Sequence, residues 1–113
     1  MLYDSDDVLI EHNEIFDCGS GIYIKGIQQA TQLRTVVRFN LVRNMLMVGV
    51  IVQHTTDGRV YQNVIRDNPI GILFNKTGTA SHEYPHNPIV ANNTLDGNDS
   101  ALWYNADLLA NGR

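Results

Sequence analysis

A chain of 113 residues that is 43% apolar and 18% charged is one globular domain or a piece of one. Its formal charge of −4, with no basic stripe, argues against nucleic acid as a partner, and no apolar run is long enough to cross a bilayer. Cys18 is the only cysteine, so an internal disulfide is excluded and the residue reads as a small turn residue.

The first residues, MLYDSDDVLI, show neither a basic leader nor a long apolar core, so no signal peptide is visible. YDSDD offers the oxygen ligands calcium prefers, but it lacks the glycine and spacing of an EF-hand loop and reads as a solvated acidic turn. Then a repeat begins. VLIEHNEIFDCGSGIYI is followed by TVVRFNLVRNMLMVGVIV, GRVYQNVIRDNPIGILF and PIVANNTLDGNDSALWY, which align on Asn13, Asn40, Asn63 and Asn93.

Three residues before each anchor stands Ile10, Val37, Val60 or Val90, and two after it Ile15, Val42, Ile65 or Leu95. A small residue follows at Gly21, Gly49, Gly71 or Ala101. Ile22, Val50, Ile72 or Leu102 comes directly behind it, and Ile24, Val52, Phe74 or Tyr104 two later. A period of two is strand period, so each copy predicts three short strands joined by tight bends. Asp17, Asn44 and Asp67, four after their anchors, read as turn residues. The best helix candidate is the C-terminal NADLLANGR, too short to stand alone.

The anchors are 27, 23 and 30 residues apart. A copy of that size cannot bury its own apolar face, whereas stacked copies share a continuous core. The spacing predicts an all-β parallel solenoid with coils at about 8–34, 35–57, 58–86 and 87–105. Nearly all length variation falls after the third strand, as insertions at 25–34 and 76–87. A serial β-sandwich would place Asn-Gly hairpin turns between strands, but the only Asn-Gly is at 111–112.

This pattern, over roughly residues 8–105, resembles the right-handed parallel β-helix superfamily, the pectate-lyase-like fold with its short N-x-I … G-I-x-I repeats. Polysaccharide lyases, glycoside hydrolases, epimerases, phage tailspikes and copper-periplasmic accessory proteins share it. The resemblance implies that Asn13, Asn40, Asn63 and Asn93 form a structural ladder. Asparagine tolerates the left-handed backbone of a tight bend, and its amide can satisfy turn groups facing the interior. It also implies an extracellular, cell-surface or periplasmic location. A solenoid needs its ends covered, and neither a capping helix nor a polar cap is visible. The chain therefore reads as an internal piece of a longer protein, with further solenoid on either end.

Insertions at one corner point to the working edge. Alternation turns two columns outward beside it: Tyr23, Ile51, Leu73 and Trp103, and Lys25, Gln53, Asn75 and Asn105. Amides beside aromatics suit the hydroxyls and ring faces of a sugar chain. The expected substrate-binding residues are Tyr23, Gln53, Asn75, Tyr84, Trp103 and Asn105, and the partner is a polysaccharide or oligosaccharide. A solvated amide ladder, with Ile51 and Leu73 covered by an insertion loop, is the bland alternative.

In lyases of the superfamily a basic residue takes the proton alpha to a uronate carboxylate, with calcium or a second base neutralising the acid. On that resemblance Lys25 and His54 are the catalytic candidates, while Arg34, Arg38 and Arg59 begin the following strands. No motif supports calcium, and no cofactor is expected. Neither nearby acid, Asp57 or Glu83, falls in the columns, which disfavours a two-carboxylate hydrolase. His82, Glu83 and His86 carry one H-x-x-x-H spacing, but Pro85 and Pro88 argue for an extended loop there, so no metal site is assigned. Sequons at Asn75, Asn92 and Asn98 follow from the asparagine content. The leading expectation is a carbohydrate-active segment that binds or cleaves an acidic polysaccharide. The alternative is a non-catalytic solenoid of adhesin, tail-fibre or accessory type.

Overall fold

The computed structural model describes residues 2–3, 6–25, 32–53, 55–75 and 87–104. All paired strands among them run parallel. Coil 1 comprises β2 (Leu9–Glu11), β3 (Glu14–Phe16) and β4 (Ser20–Lys25), after a short β1 (Leu2–Tyr3) that pairs with β4. Coil 2 comprises β6 (Val36–Arg38), β7 (Leu41–Arg43) and β8 (Val48–Gln53), preceded by β5 (Gln32–Leu33). Coil 3 comprises β10 (Arg59–Tyr61), β11 (Val64–Arg66) and β12 (Ile70–Asn75), preceded by β9 (Thr55–Thr56). Coil 4 comprises β13 (Ile89–Ala91), β14 (Thr94–Asp96) and β15 (Ser100–Tyr104).

Like strands of successive coils pair in register. The long strands form the sheet β1-β4-β8-β12-β15. The first short strands form β13-β10-β6-β2 and the second β14-β11-β7-β3, while β5 pairs with β9. This last pair is a side that the apolar pattern does not announce, and half of it falls in the 25–34 insertion. The interior is the set of inward slots: Ile24, Val37, Val42, Val50, Val52, Val60, Ile65, Ile72 and Phe74 are fully buried.

What bends the chain is a left-handed residue every five positions. Asp7, His12 and Asp17 in coil 1 are matched by Arg34, Phe39 and Asn44, by Asp57, Gln62 and Asp67, and by Asn87, Asn92 and Gly97. All have φ between 51° and 66°. Asp or Asn supplies most of these positions, as their local hydrogen bonding favours. The left-handed residue is therefore the one before each anchor, not the anchor itself. It swings the following residue inward: Thr35, Asn40, Met45, Gly58, Asn63 and Asn68 are all buried in the middle coils.

Those inward amides hold the stack. Asn40 Oδ1 accepts from the backbone N–H and the amide of Asn13 at 3.1 and 3.0 Å. Asn63 Oδ1 accepts likewise from Asn40, and Asn93 Oδ1 from Asn63, each at 3.0 Å. The Asn63 amide also reaches Val37 O at 2.9 Å, so it crosses from the coil above to the coil below. A second amide column stands five residues on. Asn98 Oδ1 accepts from Asn68 N and Nδ2 at 3.0 Å, and Asn68 Oδ1 accepts from Met45 N at 2.9 Å.

The small column explains itself sterically. A Cβ on Gly49 would lie 2.7 Å from Gly71 O, and one on Gly71 2.6 Å from Ala101 O. A side chain there would strike the backbone of the next coil.

Candidate functional site

The outer face of the long-strand sheet presents the expected columns in register. Tyr23 pairs with Ile51, Ile51 with Leu73 and Leu73 with Trp103; Lys25 pairs with Gln53 and Gln53 with Asn75. At the usual strand spacing of about 4.8 Å, Tyr23 and Trp103 stand roughly 14 Å apart along the stack. His54, Tyr84 and Asn105 lie outside the described residues, as does the His82–His86 stretch.

The face is uneven. Ile51 is 7% exposed and Gln53 5%, whereas Trp103 is 49% exposed. The Tyr23 hydroxyl donates to Gln53 Oε1, and Lys25 Nζ lies 5.9 Å from the centre of the Tyr23 ring. Gln53, which alternation turns outward, is thus enclosed, with its carbonyl oxygen occupied by Tyr23. Alternation sets the direction of a side chain, but neighbouring side chains set its access to solvent. Leu73, Asn75, Tyr23 and Lys25 are half-buried. Trp103 is the open end of the column. Leu102, which faces inward, is 47% exposed beside it because β15 is the edge strand of the described sheet.

Arg34 in the bend after β5, Arg38 at the end of β6 and Arg43 at the end of β7 face other sides. Arg34 pairs bidentately with Asp7, through Nε–Oδ1 at 2.5 Å and Nη2–Oδ2 at 2.9 Å. That hydrogen bond and the arginine's charge outweigh burial and hold the Asp7 carboxyl below the usual carboxylate range. Arg38 donates to Tyr61 OH at 3.0 Å and to Glu11 Oε2 at 2.7 Å, and both bonds raise its pKa, Tyr61 most. Arg43 pairs with Glu14 at 3.0 Å and lies 4.5 Å over the Phe16 ring. No cluster of three or more metal-ligating side chains occurs among the described residues.

Sequence reasoning missed the second amide column, although Asn68 and Asn98 both stand five after their anchors. It also missed the cross-coil ion pairs. Their signal is Asp7, Glu11 and Glu14 one copy before Arg34, Arg38 and Arg43.

Parallel stacked coils with inward amide ladders define a β-solenoid. The family model for a right-handed β-helix region matches residues 1–108, and the chain belongs to that family. No curated protein and no solved structure matches it significantly. No described helix is long and apolar enough to span a membrane.

Proposed function

We propose that the outer face of the long-strand sheet binds a saccharide chain. On this reading the protein is a segment of a carbohydrate-active solenoid that works on acidic polysaccharide outside the cell or at its surface. The observation that carries this reading is Trp103, a large aromatic half open to solvent at the end of an outward column. An indole face stacks on the C–H face of a pyranose, and its N–H reaches a hydroxyl. Asn75 and Lys25, in the neighbouring column, supply amide hydrogen bonds and a positive charge suited to an acid sugar.

If the site is catalytic, β-elimination or epimerisation at a uronate fits it best. Lys25 takes the proton alpha to the carboxylate and His54 serves as the second acid–base group. Hydrolysis would need two carboxylates 5 to 10 Å apart on the face, and the columns contain none.

Titration of the full chain with polygalacturonate oligomers tests the binding. Trp103→Ala should weaken it at least about fivefold, in line with the roughly 1–3 kcal/mol of a buried aromatic contact. Turnover unchanged in Lys25→Gln and His54→Gln removes both from the chemistry.

The enclosure of Ile51 and Gln53 favours a second reading, a non-catalytic solenoid whose outer face is packed rather than open. It predicts no turnover and equal behaviour of wild type and Trp103→Ala toward every glycan.

A further inference from the structure

The sheet β13-β10-β6-β2 has an outer face that no part of the foregoing reading uses. In β10, Val60 is buried, so Arg59 and Tyr61 on either side of it point outward. Arg59 is flanked across the sheet by Val36 and Ile89, and Tyr61 by Arg38 and Ala91. We infer that this face is a second ligand strip, centred on Arg59 and Tyr61, that recognises a carboxylate-bearing saccharide.

The charge arrangement is specific. Arg34, Arg38, Arg43 and Arg66 each hold a carboxylate, whereas Arg59 is exposed and holds none among the described residues. In a chain of net charge −4 it is a cation on this face left without an ion-pair partner among the described residues. The nearby acids are engaged. Glu11 Oε2 accepts from Arg38 at 2.7 Å, and Asp57 Oδ1 accepts from Asn87 Nδ2 at 2.7 Å.

Tyr61 is oriented by Arg38. Its hydroxyl oxygen accepts from Arg38 Nη1 at 3.0 Å, which leaves the phenolic hydrogen to donate elsewhere. Arg38 is itself fixed on its other side by Glu11, so the phenol is held before a ligand arrives. Arg59 and Tyr61, two apart on one strand, lie within about 7 Å of each other at the backbone. One carboxylate can therefore take an ion pair from the first and a hydrogen bond from the second. Exposed Ile89 and Leu9 with half-buried Val36 give an apolar shelf alongside for a sugar ring face.

This strip belongs to a different sheet from Trp103 and stands independently of the long-strand reading. Amide chemical-shift titration of the full chain with polygalacturonate oligomers, and with dextran as the neutral polymer, tests it. Saturable shifts are expected at residues 36–38, 59–61 and 89–91 with polygalacturonate and not with dextran. Arg59→Gln should weaken that binding about fivefold and Tyr61→Phe about threefold, the scale of an exposed charge-assisted contact. Trp103→Ala should leave those shifts unchanged. The inference is overturned if these strands show no shifts in the wild type, if dextran shifts them equally, or if both variants bind as wild type does. Loss on Trp103→Ala alone would uphold the long-strand face and overturn this one.

Discussion

The junction between coils 1 and 2 and the junction between coils 3 and 4 have the same parallel backbone pairing but are secured differently. Three ion pairs join coils 1 and 2, with every acid in coil 1 (Asp7, Glu11, Glu14) and every base in coil 2 (Arg34, Arg38, Arg43). One amide rung, Asn13 to Asn40, runs inside them. Coils 3 and 4 have two amide rungs, Asn63 to Asn93 and Asn68 to Asn98, and no ion pair among the described residues. One junction is secured on its solvated perimeter and the other in its interior. Exposed ion pairs contribute little and are screened by salt, whereas buried amides left without partners are costly. The interior rungs should therefore dominate stability, and the first junction, with three carboxylate ion pairs against the single Asp57–Asn87 carboxylate contact of the other, should respond more to pH and salt.

The largest effect is expected from Asn63→Ala. It removes a buried amide that accepts from Asn40 and donates to Asn93 and Val37, leaving several interior groups unpaired. Urea unfolding should show a loss of about 3 kcal/mol or more, with Asn13→Ala, at the exposed end of the same column, costing clearly less. A loss for Asn13→Ala equal to that for Asn63→Ala would break the comparison.

Gly49→Ala comes next. Its methyl would sit 2.7 Å from Gly71 O and 2.8 Å from Ile65 Cγ2, so coils 2 and 3 must part slightly. Overpacking of this kind costs about 2 kcal/mol, again read by urea unfolding. An unchanged midpoint would mean that the stack yields more easily than its backbone contacts suggest.

The smallest effect is that of acid. The folded pKa of Asp7 lies below its unfolded value, so its contribution is present above the ordinary carboxylate range. It is lost as pH falls through the folded value. Hydrogen exchange, corrected for intrinsic rates, should show coil 1 losing protection as pH falls below the ordinary carboxylate range while β11 and β12 keep theirs. In Asp7→Asn the acid response of coil 1 should shrink. Equal loss of protection in coil 3 would remove the distinction between the junctions.

Much of the scaffold is readable from particular letters. Val37, Val42, Val60 and Ile65 sit three before or two after an asparagine, and all four are fully buried. The same slots in the end coils, Ile10, Ile15, Val90 and Leu95, are half-buried, because each has a stacked neighbour on one side only. The five-residue rhythm of left-handed bends is less legible. Asp and Asn announce it at Asp17, Asn44 and Asp67, but Arg34, Phe39 and Gln62 adopt the same backbone with no such signal. They do so because the coils above and below impose it.

The candidate site is harder to read than the scaffold. Period-two alternation places Tyr23, Ile51, Leu73 and Trp103 in one outward column, and the register agrees. Alternation cannot distinguish Trp103, which is open, from Gln53, whose carbonyl oxygen is occupied by Tyr23. Arg59 is equally opaque. Its letter is the same as those of Arg34 and Arg38, and only the placement of Asp7 and Glu11 one coil away separates the paired arginines from it.

The sequence by itself determined the coil: its strand period, its inward residues, its asparagine anchors and its small-residue column. These depend on spacing within one copy, and spacing is a local property of the chain. The tertiary structure alone decided which outward residues meet solvent, which charges pair and which amides bridge three coils. Those outcomes depend on residues 23 to 33 positions apart, brought within about 3 Å only when the coils stack.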